Sequence, residues 1–523
     1  MKQKNWLPIQ IKKALSLSQK IDHSFSGISI NSRTLKKNNL FLPLKGKNHD
    51  AHKYVCEAFK KGASLSLANI EGYKKFKLDK FKKKIILVKN VFSSLHQLAS
   101  YSRKEIKGEM VAITGSVGKT SVKEALSFIL NDKNKIQSTT GNFNNLIGMP
   151  INLANFHNEI DISILELGMN KKGEIKKLSN ICKPDIGLIT KISNAHIGNF
   201  NSLKDIALAK SEIFFGMSKL GIAIINKNDP YHFLLQQIIK NLGIKNVITF
   251  GFSKKCDIRL INFKYKNKNS CKVFSEVLGK KVNFHLNNLG DHWIENSLAI
   301  ISVIAALNKN VDSYIKRISK FVAFKGRGEI LNIQYKKKKI TLIDDSYNSS
   351  PESLKASIIF LNRLGSKKRK ICVLGDMFEL GIFSKQFHLQ IKKILKDNKI
   401  SNVYTIGKEM KNLFNSSDID LVLGIESRGF LFGISLAVDW NLPFGLVRKK
   451  GKLPHTTFQI EYELEYGTDT FQIHTDSLEY GSKIAIIDDL LATGGTISAI
   501  EDLVKNFILE NEVINGNIIF NSF

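Results

Sequence analysis

The sequence predicts an α/β protein with parallel sheets, divided into three or four domains. Three observations carry that reading. The chain has 523 residues, and a domain takes roughly 150. In two places, residues 109–121 and 484–496, a short apolar run enters a glycine-containing loop that opens a helical pattern. The charge also changes sign: residues 418–523 hold seven Lys and Arg against 16 Asp and Glu, a net of −9, whereas residues 1–417 carry a net of +42. A reversal of that size marks two units of different origin, joined near Asn415-Ser416-Ser417.

Composition excludes several classes. A hydrophobic share of 43% and a charged share of 24% are ordinary globular values, so neither disorder throughout nor a coiled-coil rod fits. No run of 18 apolar residues occurs, so no membrane span is expected. Met1 to Lys20 lacks the continuous apolar segment of a signal peptide. The five cysteines (Cys56, Cys182, Cys256, Cys271, Cys372) show no C-x-x-C spacing, which points to the cytoplasm and away from structural zinc.

The net charge of +33 raises the question of nucleic acid. Of 79 basic residues only nine are arginine, and base-reading surfaces lean on arginine with interleaved aromatics. Lysine runs such as Lys82-Lys83-Lys84 read as solvated faces. No specific nucleic acid is expected: binding to duplex DNA should be weak, sequence-independent and lost between about 50 and 200 mM salt. A fluorescence-anisotropy titration checks this, and tight, sequence-selective binding at physiological salt would restore the reading as a basic nucleic-acid binder.

The first unit holds the sharper loop. Met110 to Ile113 read as a buried strand, followed by Gly115, Ser116, Gly118, Lys119, Thr120, Ser121 and a helix through Leu126 and Ile129. A strand, a glycine turn and a helix start gather backbone N–H groups around a phosphate. Lys119 would reach the outer phosphates, and Thr120 would place its hydroxyl on Mg²⁺. The spacing departs from G-x-x-x-x-G-K-[ST] because position 113 is Ile. A plain tight turn explains the lysine and threonine after the second glycine less well.

This T-G-x-x-G-K-T string resembles the ATP loop of the Mur ligases and their folylpolyglutamate synthase relatives. Further matches come in order: Gly141-Asn142-Phe143-Asn144-Asn145 with Gly148-Met149-Pro150, Ile164 to Met169, Asn194-Ala195-His196, Ala209 to Phe214, Asn287 to Asn296, Lys325 to Glu329 and Asp344 to Asn348. Leu374-Gly375-Asp376-Met377-Phe378-Glu379-Leu380-Gly381 is the most discriminating. It resembles the branch of the family that adds D-alanyl-D-alanine to UDP-N-acetylmuramoyl-tripeptide.

The resemblance implies a three-domain architecture: a UDP-muropeptide-binding domain over residues 1–105, a P-loop ATPase-like central domain over 106–310 and a Rossmann-like third domain over 311–417. It implies ATP and Mg²⁺ as cofactors and activation of a carboxylate as an acyl phosphate. Lys119, Glu166, His196, Lys210 and Arg327 would be catalytic. Thr120, Glu166, His196 and a carbamylated Lys210 would hold Mg²⁺. Asn296 would face adenine, Arg327 the phosphates and Asp345 the ribose. Asn31-Ser32-Arg33 resembles the UDP-substrate segment, through Ser32 and Arg33. The family's third domain normally continues beyond Ile406-Gly407 with further strands. Here it stops near Phe414, which is expected to leave an incomplete sheet with an exposed edge.

The second unit carries Ile484 to Thr496, in which Asp488 and Asp489 end an apolar strand and Ala492-Thr493-Gly494-Gly495-Thr496 opens a helix. Two carboxylates can bond vicinal ribose hydroxyls, and the small-residue loop can wrap a 5′-phosphate with backbone N–H groups. D-D-x-x-A-T-G-G-T resembles the mark of the type I phosphoribosyltransferases. The flanks Leu421 to Phe430, Val447 to Pro454 and Tyr462 to Asp469 are similar to adenine phosphoribosyltransferases.

That resemblance implies a parallel-sheet domain over residues 418–523 that makes AMP from adenine and phosphoribosyl pyrophosphate with Mg²⁺. Arg448 and Lys452 would hold the pyrophosphate and Glu465 would assist proton transfer at the purine. A homodimer through this unit is also implied. The family's adenine-covering F-P-x-P-G-I segment is not found before Asp418. The expectation is therefore a bifunctional ligase and transferase. Two alternatives stay open: only the ligase is active and the C-terminal unit is a degenerate module, or neither is active and the chain is a basic nucleic-acid binder.

Overall fold

The structure is a computed structural model that describes residues 4–522, except 132, 196, 268–269, 288–289, 323, 325, 336–337, 365–368, 401, 408–409, 411–418, 464–467, 478–481, 489–498, 501 and 505–517. Two compact units divide the chain, Met1–Asp344 and Asp345–Phe523.

The first unit opens with a small all-parallel sheet whose strands follow chain order: β1 (Ile28–Ser29), β2 (Leu40–Phe41), β3 (Leu65–Ala68) and β4 (Ile85–Leu87). Helix α1 (Val91–Glu105) leads onward, its N-terminus capped by Asn90, whose side chain accepts from Ser93 N–H at 2.9 Å. The capping acceptor satisfies a donor that no helical carbonyl can reach. Ala154 and Asn155 latch the small sheet to the rest of the unit. Ile28 N–H donates to Asn155 Oδ1 at 2.7 Å, Asn155 Nδ2 donates back to Ile28 O at 3.1 Å, and the Trp6 indole donates to Ala154 O at 3.1 Å.

The central sheet contains β5 (Glu109–Thr114), β6 (Ile136–Ser138), β7 (Ile162–Glu166), β8 (Ile186–Ile189), β9 (Ile222–Asn226), β10 (Asn246–Gly251), β11 (Ile258–Asn267), β12 (Ser270–Val277) and β13 (Lys280–Leu286). Their order is β13-β12-β11-β10-β9-β8-β5-β7-β6. Pairing is parallel from β6 through β11 and antiparallel at β11–β12 and β12–β13. Sequence tracks the change. Met110, Val111, Ala112 and Ile113 of β5 are all fully buried, because helices cover both faces of a parallel sheet. Residues along β12 instead alternate between buried and half-buried, the mark of a sheet with one face in the core.

Helix α2 (Lys119–Leu130) packs Val122, Leu126, Ile129 and Leu130 into the core beneath β5 and β7. Each such side chain contributes about 1.5–3 kcal/mol. Helix α4 (Asp291–Ala306) packs on the same sheet, and α3 (Leu203–Ser211), in the segment between β8 and β9, lies against neighbouring helices. The hairpin β14 (Glu329–Tyr335) and β15 (Lys338–Asp344) ends the unit. Strand β5 lies between β7 and β8. The chain leaves β5 towards one side and returns on the other, so loops diverge there and open a crevice at the strands' carboxyl ends.

The second unit begins with α5 (Pro351–Leu364), β16 (Ile371–Gly375), α6 (Ser384–Asp397) and β17 (Asn402–Ile406); β16 and β17 pair in parallel. A six-stranded sheet comes next: β18 (Leu421–Ile425), β19 (Phe444–Lys449), β20 (Thr457–Glu463), β21 (Thr468–His474), β22 (Ile484–Asp488) and β23 (Ile518–Ser522). Its order is β20-β21-β19-β18-β22-β23, with helix α7 (Arg428–Trp440) between β18 and β19. Leu423, Val447, Ile473 and Ile486 form a core on one face with Ile500 and Leu503, while Val422, Leu436 and Ile487 form one on the other.

Among the described residues β16 and β17 form a two-stranded sheet of their own, the incomplete sheet expected at the end of the ligase-like segment. β17 lies beside β23, and Tyr404 of β17 packs against the core of the six-stranded sheet.

Candidate active site

The loop between β5 and α2 lies at the sheet's switch point and is held from both sides. Ser116 N–H donates to Lys191 O at 2.7 Å, and the Ser116 hydroxyl donates to Ser193 O at 2.9 Å. Ser193 N–H donates back to the Ser116 hydroxyl at 2.9 Å, and the Thr190 hydroxyl donates to Val117 O at 2.6 Å. The segment after β8 therefore fixes the curvature of the segment after β5. Glycine is required at both ends. A Cβ on Gly115 would stand 1.9 Å from Thr190 Oγ1. Gly118 has φ +88° and faces Asn296, whose Oδ1 would lie 2.6 Å from an added Cβ.

Gly118 caps α2 without any side-chain acceptor, so the first N–H groups of the helix point into the loop. Lys119 folds back over it, donating to Gly115 O at 2.6 Å and Ser116 O at 3.1 Å. Thr120 and Ser121 follow on the first turn, half-buried. The loop thus gathers Gly115, Ser116, Gly118 and Lys119 as the sequence predicts, with Asn296 of α4 against it.

Glu166 ends β7 and is almost fully buried. Its backbone N–H donates to Thr139 Oγ1 at 3.0 Å, and Asn144 Nδ2 donates to its Oε1 at 2.8 Å. Its Oε2 is buried with no hydrogen-bond partner among the described residues. An orphaned carboxylate oxygen in the interior costs free energy unless a cation meets it. Hard oxygen ligands suit Mg²⁺, so this atom fits the expected ion.

Lys210 on α3 is as buried as Glu166. Burial, with repulsion from Lys119, pushes its ammonium well below the ordinary lysine range, and Glu166 opposes the shift only in part. The three side chains therefore lie within one another's electrostatic reach. His196, expected as a fourth member, lies outside the described residues.

The remaining expected positions are more dispersed. Ser32 is buried, and Arg33 is exposed with its N–H bonded to Asn31 Oδ1 at 2.8 Å. Arg327 follows a turn in which Asp344 accepts from Gly326 N–H at 3.1 Å. Asp345 belongs to the second unit, where it accepts from the Ser357 hydroxyl at 2.5 Å.

In the second unit Arg448 and Lys452 converge on one carboxylate, Glu426. Arg448 Nη2 lies 3.5 Å from Glu426 Oε1, Lys452 Nζ donates to the same oxygen, and Lys449 N–H donates to Oε2 at 3.1 Å. Burial alone would raise the Glu426 carboxyl, but these donors outweigh it and hold the group below the usual carboxylate range. Asp488 is the last residue of β22. Asp489, Ala492, Thr493, Gly494, Gly495, Thr496 and Glu465 lie outside the described residues.

Sequence matches agree with this geometry. Residues 113–304 match the Mur ligase middle domain, and residues 326–426 match the Mur ligase glutamate ligase domain. A UDP-N-acetylmuramoyl-tripeptide–D-alanyl-D-alanine ligase of Rickettsia prowazekii is 36% identical over 418 residues, covering 77% of this chain and 88% of that protein. This chain belongs to the Mur ligase family. It is an enzyme, an ATP-dependent ligase that works with Mg²⁺.

Solved structures share the fold of this Mur ligase. A MurF crystal structure from Acinetobacter baumannii aligns with a TM-score of 0.70 at 24% identity, covering 85% of this chain and 96% of that one. The Thermotoga maritima MurF ligase in complex with ADP aligns with a TM-score of 0.63 at 22% identity, covering 95% and 93%. Unlike a plain Mur ligase, this one also matches the phosphoribosyl transferase domain, over residues 389–515.

Sequence reasoning missed the residues that hold this Mur ligase's site in shape. Thr190 and Ser193 lie 73 and 77 residues from their partners, and nothing local marks them. Asn144 had a signal, since it stands in the G-N-x-N-N string. Glu426 had one too, as the lone carboxylate after the apolar run Leu421 to Ile425.

Proposed function

We propose that this Mur ligase joins D-alanyl-D-alanine to UDP-N-acetylmuramoyl-tripeptide in the cytoplasm, a step in peptidoglycan precursor synthesis. The observation that carries the reading is Glu166, buried with one oxygen unpartnered among the described residues, beside Lys210 and the helix-capped loop of Lys119. ATP activates the tripeptide carboxylate as an acyl phosphate, and the amine of D-alanyl-D-alanine then displaces phosphate. Mg²⁺, when bound, neutralises charge between the two approaching polyanions. Glu166 and Thr120, with Lys210 once carbamylated and His196, are the groups to hold it.

The chain's own part is positioning. The first N–H groups of α2 and Lys119 bind the outer phosphates, while Asn296 faces the adenine, Arg327 the phosphates and Asp345 the ribose. Ser32 and Arg33 serve the uridine end of the muropeptide. The test is ADP release measured with each substrate omitted in turn. Sustained release that depends on both the muropeptide and D-alanyl-D-alanine is expected, with at most one equivalent per site when D-alanyl-D-alanine is omitted; sustained release with either omitted would defeat the assignment.

Residues 418–523 are proposed to form AMP from adenine and phosphoribosyl pyrophosphate, a purine-salvage reaction, as a homodimer. Asp488 and Asp489 would bind the ribose hydroxyls, Ala492 to Thr496 the 5′-phosphate, Arg448 and Lys452 the pyrophosphate, with Glu465 at the purine. Because the adenine-covering segment is not found before Asp418, sugar-phosphate binding and base selection should come apart. Calorimetry is expected to detect Mg²⁺-dependent binding of phosphoribosyl pyrophosphate that Asp488→Ala with Asp489→Ala abolishes. Labelled-adenine turnover should be slow and weakly selective among purines. Efficient, adenine-selective AMP formation would overturn the separation.

A further inference from the structure

The transferase unit also has a structural partner inside its own chain. We propose that its sheet completes the third ligase domain, taking the place of the strands that this domain would otherwise supply beyond β17. A two-stranded parallel pair such as β16–β17 is not stable in water alone, and parallel strands need cover on both faces. Register shows where the cover comes from. Cys372 pairs with Val403, and Leu374 with Thr405, and all four are buried on one face. On the other face Val373 is exposed, but its partner Tyr404 packs against the core of Leu423, Val447 and Ile486.

At the edge the two sheets lie side by side, without a shared hydrogen-bond ladder among the described residues. β17 lies beside β23, so the pair and the six-stranded sheet form adjoining parts of one compact unit, Asp345–Phe523. The two family matches overlap over residues 389–426, which include the C-terminal part of α6 with β17 and β18. The same stretch of chain satisfies both patterns, so the ligase match runs directly into the transferase match. This role needs no transferase chemistry: it depends on Leu423 and its neighbours as packing surface, whatever the fate of adenine.

Hydrogen exchange read by mass spectrometry on the intact chain tests this, with β5 and β7 as an internal control for folding. Tyr404→Asp is expected to speed exchange about tenfold or more in both β17 and β18, and Tyr404→Phe to restore it. The reciprocal variant, Leu423→Ala in β18, is expected to loosen β16 and β17 as well as its own sheet. If Tyr404→Asp loosens only β17, or Leu423→Ala leaves β16 and β17 at wild-type protection, the two parts are independent and the proposal fails. Loss of either enzymatic activity does not alter this readout.

Discussion

Replacing Lys119 by alanine is expected to lower ATP-dependent amide formation about 100-fold or more while leaving the thermal transition of the protein unchanged. The size follows from its place. Lys119 is the cation of the β5–α2 loop, and a contact aimed at charge that develops in the transition state is worth about 3 kcal/mol or more. The fold should tolerate the change because the loop's shape is held elsewhere, by Ser116 with Ser193 and by Thr190 on Val117. Lys119 itself donates to two carbonyls of its own turn. Single-turnover ADP formation beside a melting curve checks both halves. Turnover equal to the parent would show that phosphates are not bound at this loop.

Lys210→Met should be at least as damaging, by about 100-fold or more on the same scale, and for a different reason. Lys210 is buried next to Glu166 and Lys119, and burial favours its uncharged amine. An uncharged amine has a lone pair that can attack carbon dioxide; an N–C bond forms, a proton leaves, and a cation becomes an anionic oxygen ligand. Methionine keeps the length and apolar stem but cannot make that change. The measurement is ligase turnover with and without added bicarbonate, together with intact-peptide mass. A bicarbonate-independent parent enzyme, or a Lys210→Met variant with full turnover, would show that no carbamate is needed there.

The parts of this molecule that were legible in the sequence are those written in local strings. Met110 to Ile113 is an apolar run because both faces of β5 are covered, and Gly118 stands before Lys119 because the turn requires positive φ. The closeness of Lys210 to Glu166 was legible only through family resemblance, since 44 residues separate them and α3 alone gives no sign of a site. Two kinds of feature were not legible. Long-range locks such as Thr190 on Val117 use ordinary residue types whose meaning lies entirely in their partner. The packing of β17 beside β23 was not legible either, because β23 is more than a hundred residues further along the chain.

That separation has a consequence in time. A ribosome adding about 5–20 residues per second finishes β17 roughly ten seconds before it reaches β23. Throughout that interval β17, paired with β16, lacks the neighbour beside which it lies in the finished chain. The order of synthesis therefore leaves one side of the β16–β17 pair without its neighbour while the chain grows, and slow translation of its last quarter would lengthen the exposure rather than relieve it.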